Sequence, residues 1–191
     1  MRIIAGKYRS RILKSLKGLA LRPTSDRLRE TLFNVLGPAV VGSRFLDVFA
    51  GTGAVGIEAL SRGAADVTFI ENHAPAAKLI RQNLDSLKIT SGYTILAADA
   101  LTALQKLAAR HTPSTPPFDF VFLDPPYAAH VDYARTLEFL SSPSANFLSP
   151  NALIIFEHHH KFSLPEKSGQ LTRARVLKQG DAALSFFRRT T

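Results

Sequence analysis

The chain has 191 residues, 46% of them hydrophobic and 20% charged, which fits a one-domain soluble protein able to bury a real core. The absence of Cys excludes disulfides, thiolate zinc sites and Cys nucleophiles together. The longest apolar runs, Phe118 to Leu123 and Ala152 to Phe156, are strand-sized, so no transmembrane helix is predicted, and charges interrupt residues 1–7 before a secretory signal could build. A cytoplasmic enzyme or binding protein is the expectation.

The formal charge of +9 is unevenly placed: residues 1–37 hold nine basic and two acidic side chains, residues 38–157 eight and eleven, and residues 158–191 seven and two. Basic ends around a non-basic body suggest a ligand-binding or catalytic body flanked by elements that touch polyanion. A basic face that only solvates the protein is the alternative.

In chain order, residues 2–5 and 8–13 flank Gly6-Lys7 and predict a short basic hairpin. Pro23 with Thr24-Ser25-Asp26 marks a helix start, and Leu28, Leu32, Val35 and Leu36 form its apolar stripe before Gly37-Pro38. From Arg44 onward, apolar runs alternate with helix-like stretches. Strands are predicted at Arg44 to Val48, Asp66 to Glu71, Tyr93 to Ala97, Phe118 to Leu123 and Ala152 to Phe156, with helices starting near Gly53, Ala74, Ala100 and Asp132. Such an alternation predicts a doubly wound α/β fold with a mostly parallel sheet. Leu171 to Leu177 and Leu184 to Arg188, separated by a turn, break the rhythm and predict an antiparallel C-terminal strand. Residues 112–117 form a stiff Pro-rich loop. The expected organisation is a basic N-terminal extension, residues 1–37, ahead of a catalytic domain, residues 38–191.

Phe45 to Gly56 has the order strand, glycine turn, helix start, and residues 51–56 fit G-x-G-x-x-G. Glu71 stands 20 residues after Gly51 at the end of the second strand, where a carboxylate can accept both ribose hydroxyls. Nucleoside binding follows, although NAD sites share this spacing. Asp47 suits an ammonium or sulfonium better than a pyrophosphate. Asp99 ahead of Ala100 is placed to accept from an adenine amino group; a plain helix N-cap is its other reading.

Asp124-Pro125-Pro126-Tyr127 closes the fourth strand at the edge where ligands of open α/β sheets sit. This chemistry suits methyl transfer to a planar exocyclic amine. Asp124 and the Pro125 carbonyl could accept the amine hydrogens, consecutive prolines stiffen the loop, and Tyr127 could stack on the base.

Asp47 to Gly53 together with Asp124 to Tyr127 resembles class I S-adenosylmethionine-dependent amino-methyltransferases. Arg2 to Lys7, the Leu21 to Arg27 block with Glu30 to Asn34, and Gly56 to Ala64 resemble the RsmD-type family, over nearly the whole chain. That resemblance implies a Rossmann-like methyltransferase that modifies a guanine N2 of 16S ribosomal RNA, in a partly assembled small subunit, as a cytoplasmic monomer. It implies S-adenosylmethionine contacts at Asp47, Ala50, Gly51, Thr52, Gly53, Glu71, Asn72, Asp99 and Ala100, catalysis by Asp124, Pro125, Pro126 and Tyr127, and no metal. RNA contacts are expected at Lys7, Arg9, Arg11, Arg22 and Arg27.

The Pro-rich loop and His158-His159-His160 depart from the family pattern. Strand alternation lets at most His158 and His160 share a face, so these histidines are expected to be solvated or to face RNA. Adenine-N6 methylation of DNA or RNA is the main alternative activity, because the tetrapeptide serves any exocyclic amine. Protein glutamine methylation, NAD-linked oxidoreduction and a catalytically silent ribosome-assembly factor are weaker ones.

Overall fold

A computed structural model describes residues 1–15 and 25–189. Helix α1, Asp26–Leu36, begins where expected: Ser25 is the N-cap, and its side chain accepts from the Leu28 N–H at 3.1 Å. The helix buries Leu28, Leu32, Phe33 and Leu36, the predicted stripe with Phe33 in place of the half-buried Val35.

The strands are β1 (Arg44–Val48), β2 (Asp66–Ile70), β3 (Tyr93–Leu96), β4 (Phe118–Leu123), β5 (Leu148–His159), β6 (Lys167–Ser168), β7 (Leu171–Gln179) and β8 (Ala182–Arg189). Helices α2 (Ala54–Ser61), α3 (Ala74–Ser86), α4 (Ala100–Arg110) and α5 (His130–Ser141) alternate with the first five strands. The eight-stranded sheet has the order β3-β2-β1-β4-β5-β8-β7-β6. Neighbours from β3 through β5 are parallel, and β8, β7 and β6 are added antiparallel.

Period-2 alternation sorts each strand between two cores. Phe45, Phe69, Phe120 and Phe122 pack with Leu28, Leu32, Ile57, Ile80 and Leu84 on one face. Leu46, Val48, Val121 and Leu123 pack with Leu104, Tyr133 and Leu137 on the other. At Gly56 a Cβ would stand 2.3 Å from the Phe69 ring, so the third glycine of the motif lets α2 lie directly on β2.

Three expectations need correction. The N-terminal segment loops back as foreseen, but through a single antiparallel bridge, Arg2 to Ile12, instead of two strands. Backbone bonds such as Ile3 N–H to the Arg11 carbonyl and Leu13 N–H to the Met1 carbonyl flank that bridge, while the amides at the turn reach α2: those of Ile4 and Ala5 donate to the Glu58 carboxylate at 2.8 and 3.0 Å, and that of Tyr8 donates to Ser61 Oγ at 3.0 Å. Ile3 and Leu13 join the core of that face, so the segment is packed into the body of the protein. Second, β5 exceeds its predicted apolar run at both ends, because its partners β4 and β8 extend the pairing. Third, His158 is 3% exposed, its Nε2 lies 2.8 Å from Ser185 Oγ, and burial pushes its pKa down; it is neither solvated nor RNA-facing. Among the described residues, no helix is long and apolar enough to cross a membrane.

Candidate active site

Parallel register brings the carboxyl ends of four strands to one edge. Val48 stands opposite both Ile70 and Leu123, and Ile70 stands opposite Leu96. Backbone bonds fasten the exits: the Ala50 N–H donates to the Ile70 carbonyl at 3.0 Å, the Glu71 N–H to Leu96 at 3.1 Å, and the Asp124 N–H to Val48 at 3.3 Å. The glycine loop, Glu71 and the Asp124-Pro125-Pro126-Tyr127 loop therefore leave the sheet side by side, at the edge where ligands of open α/β sheets bind.

The glycine loop is bent through left-handed backbone at Phe49 (φ 60°), Gly51 (φ 54°) and Gly53 (φ 77°). Phe49 carries a side chain there, a strained conformation of the kind found beside ligands. Two carboxylates hold the bend. The Gly51 N–H donates to Glu71 Oε2 at 2.8 Å, and the His73 N–H donates to Glu71 Oε1 at 2.8 Å. Asp47 is 2% exposed, and its Oδ2 accepts the Gly56 N–H at 2.8 Å across the loop. Burial, opposed by that hydrogen bond and helped by nearby Glu71, raises the Asp47 pKa from 3.8 to about 8.

Each Glu71 oxygen accepts one amide and keeps a second lone pair, so a ribose diol can be bound without dismantling the loop. Ala50 and Thr52 flank Gly51 in the loop, and Asn72 follows Glu71. Asp99 is exposed and acts as the N-cap of α4, its Oδ1 accepting the Thr102 N–H at 3.0 Å, with Ala100 buried behind it. The second oxygen of Asp99 can still meet an adenine amino group.

On the acceptor side, Pro125 is buried while Asp124 and Tyr127 are partly exposed. The Tyr127 ring meets the His159 ring edge-on, with centroids 5.6 Å apart. His159 and His160 are stacked at 4.6 Å, where the strand ends and alternation no longer separates neighbours. With Asp181 they bring three possible ligand atoms within 4.8 Å of one another, although His159 Nδ1 already accepts the Lys161 N–H at 3.2 Å.

The predicted RNA contacts Lys7, Arg9, Arg11 and Arg27 are exposed; Arg22 lies outside the described residues. Arg11 Nη2 donates to the Ser86 carbonyl at 3.4 Å, and the Lys7 ammonium lies 5.4 Å from the Tyr8 ring.

Sequence reasoning missed two side chains that support the site. Asn83 of α3 is fully buried: its Oδ1 accepts the Lys14 N–H at 2.8 Å, while its Nδ2 donates to the Lys14 carbonyl at 3.2 Å and the Thr52 carbonyl at 3.0 Å. Tyr133 of α5 is 1% exposed, and its hydroxyl lies 3.1 Å from the Pro125 carbonyl and 3.0 Å from the Glu157 carbonyl. A polar side chain on the buried stripe of an amphipathic helix is the one sequence signal both share.

The parallel sheet with its antiparallel C-terminal extension, the glycine loop braced by two acids and the adjoining Asp-Pro-Pro-Tyr loop define a class I methyltransferase, whose cofactor is S-adenosylmethionine. The family described as Conserved hypothetical protein 95 matches residues 1–188, and the chain belongs to it. Ribosomal RNA small subunit methyltransferase D of Haemophilus influenzae is 43% identical over 157 residues, covering 82% of this chain and 78% of that protein. Its namesake in Escherichia coli K12 is 35% identical over 189 residues, covering 99% and 90%. The solved methyltransferase yhhF from Escherichia coli superposes with a TM-score of 0.82 at 32% identity, covering 100% of this chain and 98% of that one.

Proposed function

We propose that this protein transfers a methyl group from S-adenosylmethionine to the exocyclic N2 of a guanine in 16S ribosomal RNA, acting as a cytoplasmic monomer on a partly assembled small subunit. The observation that carries this reading is the adjacency of Asp124-Pro125-Pro126-Tyr127 to the loop braced by Glu71. The names of the relatives supply the RNA class.

When bound, the cofactor supplies an electrophilic methyl on a sulfonium sulfur. Asp47, Ala50, Gly51, Thr52, Gly53, Glu71, Asn72, Asp99 and Ala100 would hold it, with Glu71 on the ribose and Asp99 on the adenine. The acceptor nitrogen is a poor nucleophile, because its lone pair is conjugated with the guanine ring. Asp124 and the Pro125 carbonyl each accept one of its hydrogens, which fixes the plane of the amine and favours the pyramidal nitrogen that attacks the methyl. One N–H proton is then lost through Asp124. Tyr127 stacks on the extruded base. Residues 1–37 serve as the RNA-binding extension, with Lys7, Arg9, Arg11, Arg22 and Arg27 on phosphates.

The test is mass spectrometry of nucleosides after the protein and S-adenosylmethionine are incubated with unmodified 16S RNA or partly assembled subunits. N2-methylguanosine is the expected product. N6-methyladenosine would replace the base assignment, and a distant relative named as a tRNA adenine-N6 methyltransferase, 28% identical over 123 residues, makes that the outcome to exclude first. No transfer to either RNA would overturn the reading.

A further inference from the structure

We infer that Tyr133 is a positioning residue for methyl transfer, acting through the Pro125 carbonyl. The inference rests on the proposed role of that carbonyl as an acceptor for the target amine, and it adds a group outside the tetrapeptide.

Pro125 precedes another proline, so its carbonyl belongs to a tertiary amide with no N–H to tie the plane to a neighbour. The orientation of this oxygen must come from elsewhere. Among the described residues, the Tyr133 hydroxyl is the donor that reaches it, at 3.1 Å. The same hydroxyl lies 3.0 Å from the Glu157 carbonyl of β5, so a single O–H hydrogen serves two buried acceptors and registers the loop against the sheet.

The hydroxyl cannot wander. The Tyr133 ring sits 4.8 Å from the Phe162 ring and 6.3 Å from the Phe156 ring, and α5 carries it in the buried stripe with Leu137 and Leu140. A carbonyl oxygen has two lone pairs. Tyr133 takes one from inside the protein, which aims the other at the edge where the amine must sit. Burial and the neighbouring Asp124 carboxylate push the phenol pKa far up, so the group remains a donor throughout the working pH range. The hydroxyl's partners, Pro125 and Glu157, both lie away from the glycine loop and Glu71, so its influence falls on the acceptor side.

The experiment compares Tyr133→Phe with the parent protein in single-turnover methyl transfer to unmodified 16S RNA or partly assembled subunits, with cofactor affinity measured by calorimetry. The expected result is a rate constant lowered roughly tenfold, as for the loss of one well-placed hydrogen bond, with the cofactor Kd unchanged. Reaction amplitude separates positioning from damage: a misfolded fraction lowers the amplitude, whereas a misaimed carbonyl lowers the rate constant at full amplitude. Phe162→Leu keeps the hydroxyl while loosening its surroundings, and its rate constant should stay within about threefold of the parent. A Tyr133→Phe rate constant equal to the parent's, or a Phe162→Leu loss as large as that of Tyr133→Phe, would overturn the inference. A modified base other than guanine would overturn the substrate reading alone, because the same carbonyl serves any exocyclic amine.

Discussion

The two halves of the active site are held in different ways. On the cofactor side, buried acidic side chains clamp backbone amides: Glu71 on Gly51 and His73, and Asp47 on Gly56. On the acceptor side, two prolines and a neutral phenol, Tyr133, hold the loop. Acids that hold buried amides make the cofactor loop sensitive to proton binding. A proline-stiffened loop braced by a hydroxyl has no such sensitivity and leaves the partly exposed Asp124 as its charged group. The cofactor half is therefore braced by two buried acids, of which Asp47 keeps its proton up to about pH 8, while the half that must read a neutral amine is built mainly from neutral acceptors.

The sharpest way to break this contrast is Asp124→Ala. It should lower the single-turnover rate by about a hundredfold or more while leaving cofactor affinity nearly intact, because Asp124 acts on the amine as charge develops. A rate within a few-fold of the parent would remove Asp124 from the chemistry.

Glu71→Ala should do the reverse. It should weaken cofactor binding by about 1–3 kcal/mol through the lost ribose acceptor, and it should also lower Tm because the Gly51 and His73 amides lose their partner. Calorimetry with unchanged affinity would refute the ribose assignment.

The third test uses pH. Asp47 has a folded-state pKa of about 8 against 3.8 when unperturbed. Between those values the native state retains a proton that the unfolded chain has released, so this group's contribution to stability is full below about pH 4, declines as pH rises, and is lost above about pH 8. Asp47→Asn keeps an oxygen for the Gly56 N–H and carries no charge. Its Tm should gain on the parent's from pH 5 to pH 8 and then hold a constant lead. A Tm difference independent of pH would show that Asp47 does not titrate in this window.

The smallest effect is expected outside both halves. Neutralising Lys7, Arg9 and Arg11 together should weaken RNA binding and flatten its salt dependence by about 0.7–0.9 log units per lost phosphate contact, with cofactor affinity unchanged. An unchanged salt slope would move the RNA contact to the basic β7–β8 hairpin.

Local rules carried most of the fold. The Ser25 cap, the continuous apolar strands and the glycine turn each follow from chemistry within a few residues, and the sheet edge follows from parallel topology. What stayed hidden depends on partners far along the chain. The N-terminal segment forms one bridge, and its Ile4, Ala5 and Tyr8 amides are satisfied by Glu58 and Ser61, more than 50 residues away. His158 reads as polar and exposed, yet pairing with β8 buries it against Ser185. Tyr133 carries no motif of its own, and only the packing of α5 against the end of β5 shows what its hydroxyl reaches. The glycine loop and the Asp-Pro-Pro-Tyr loop meet at one sheet edge, whereas Asn83 and Tyr133, which hydrogen-bond to their backbones, carry no motif at all.

On the proposal that the basic N-terminal segment binds RNA, Asn83 is a physical link between the two ligand sites. One buried amide grips both backbone groups of Lys14, next to the predicted RNA-contacting arginines, and the carbonyl of Thr52 in the cofactor loop. Thermodynamic linkage is symmetric: whatever factor RNA applies to cofactor affinity through this link, the cofactor returns to RNA affinity. On that proposal, a dissociation constant for either ligand is complete only when the occupancy of the other is stated.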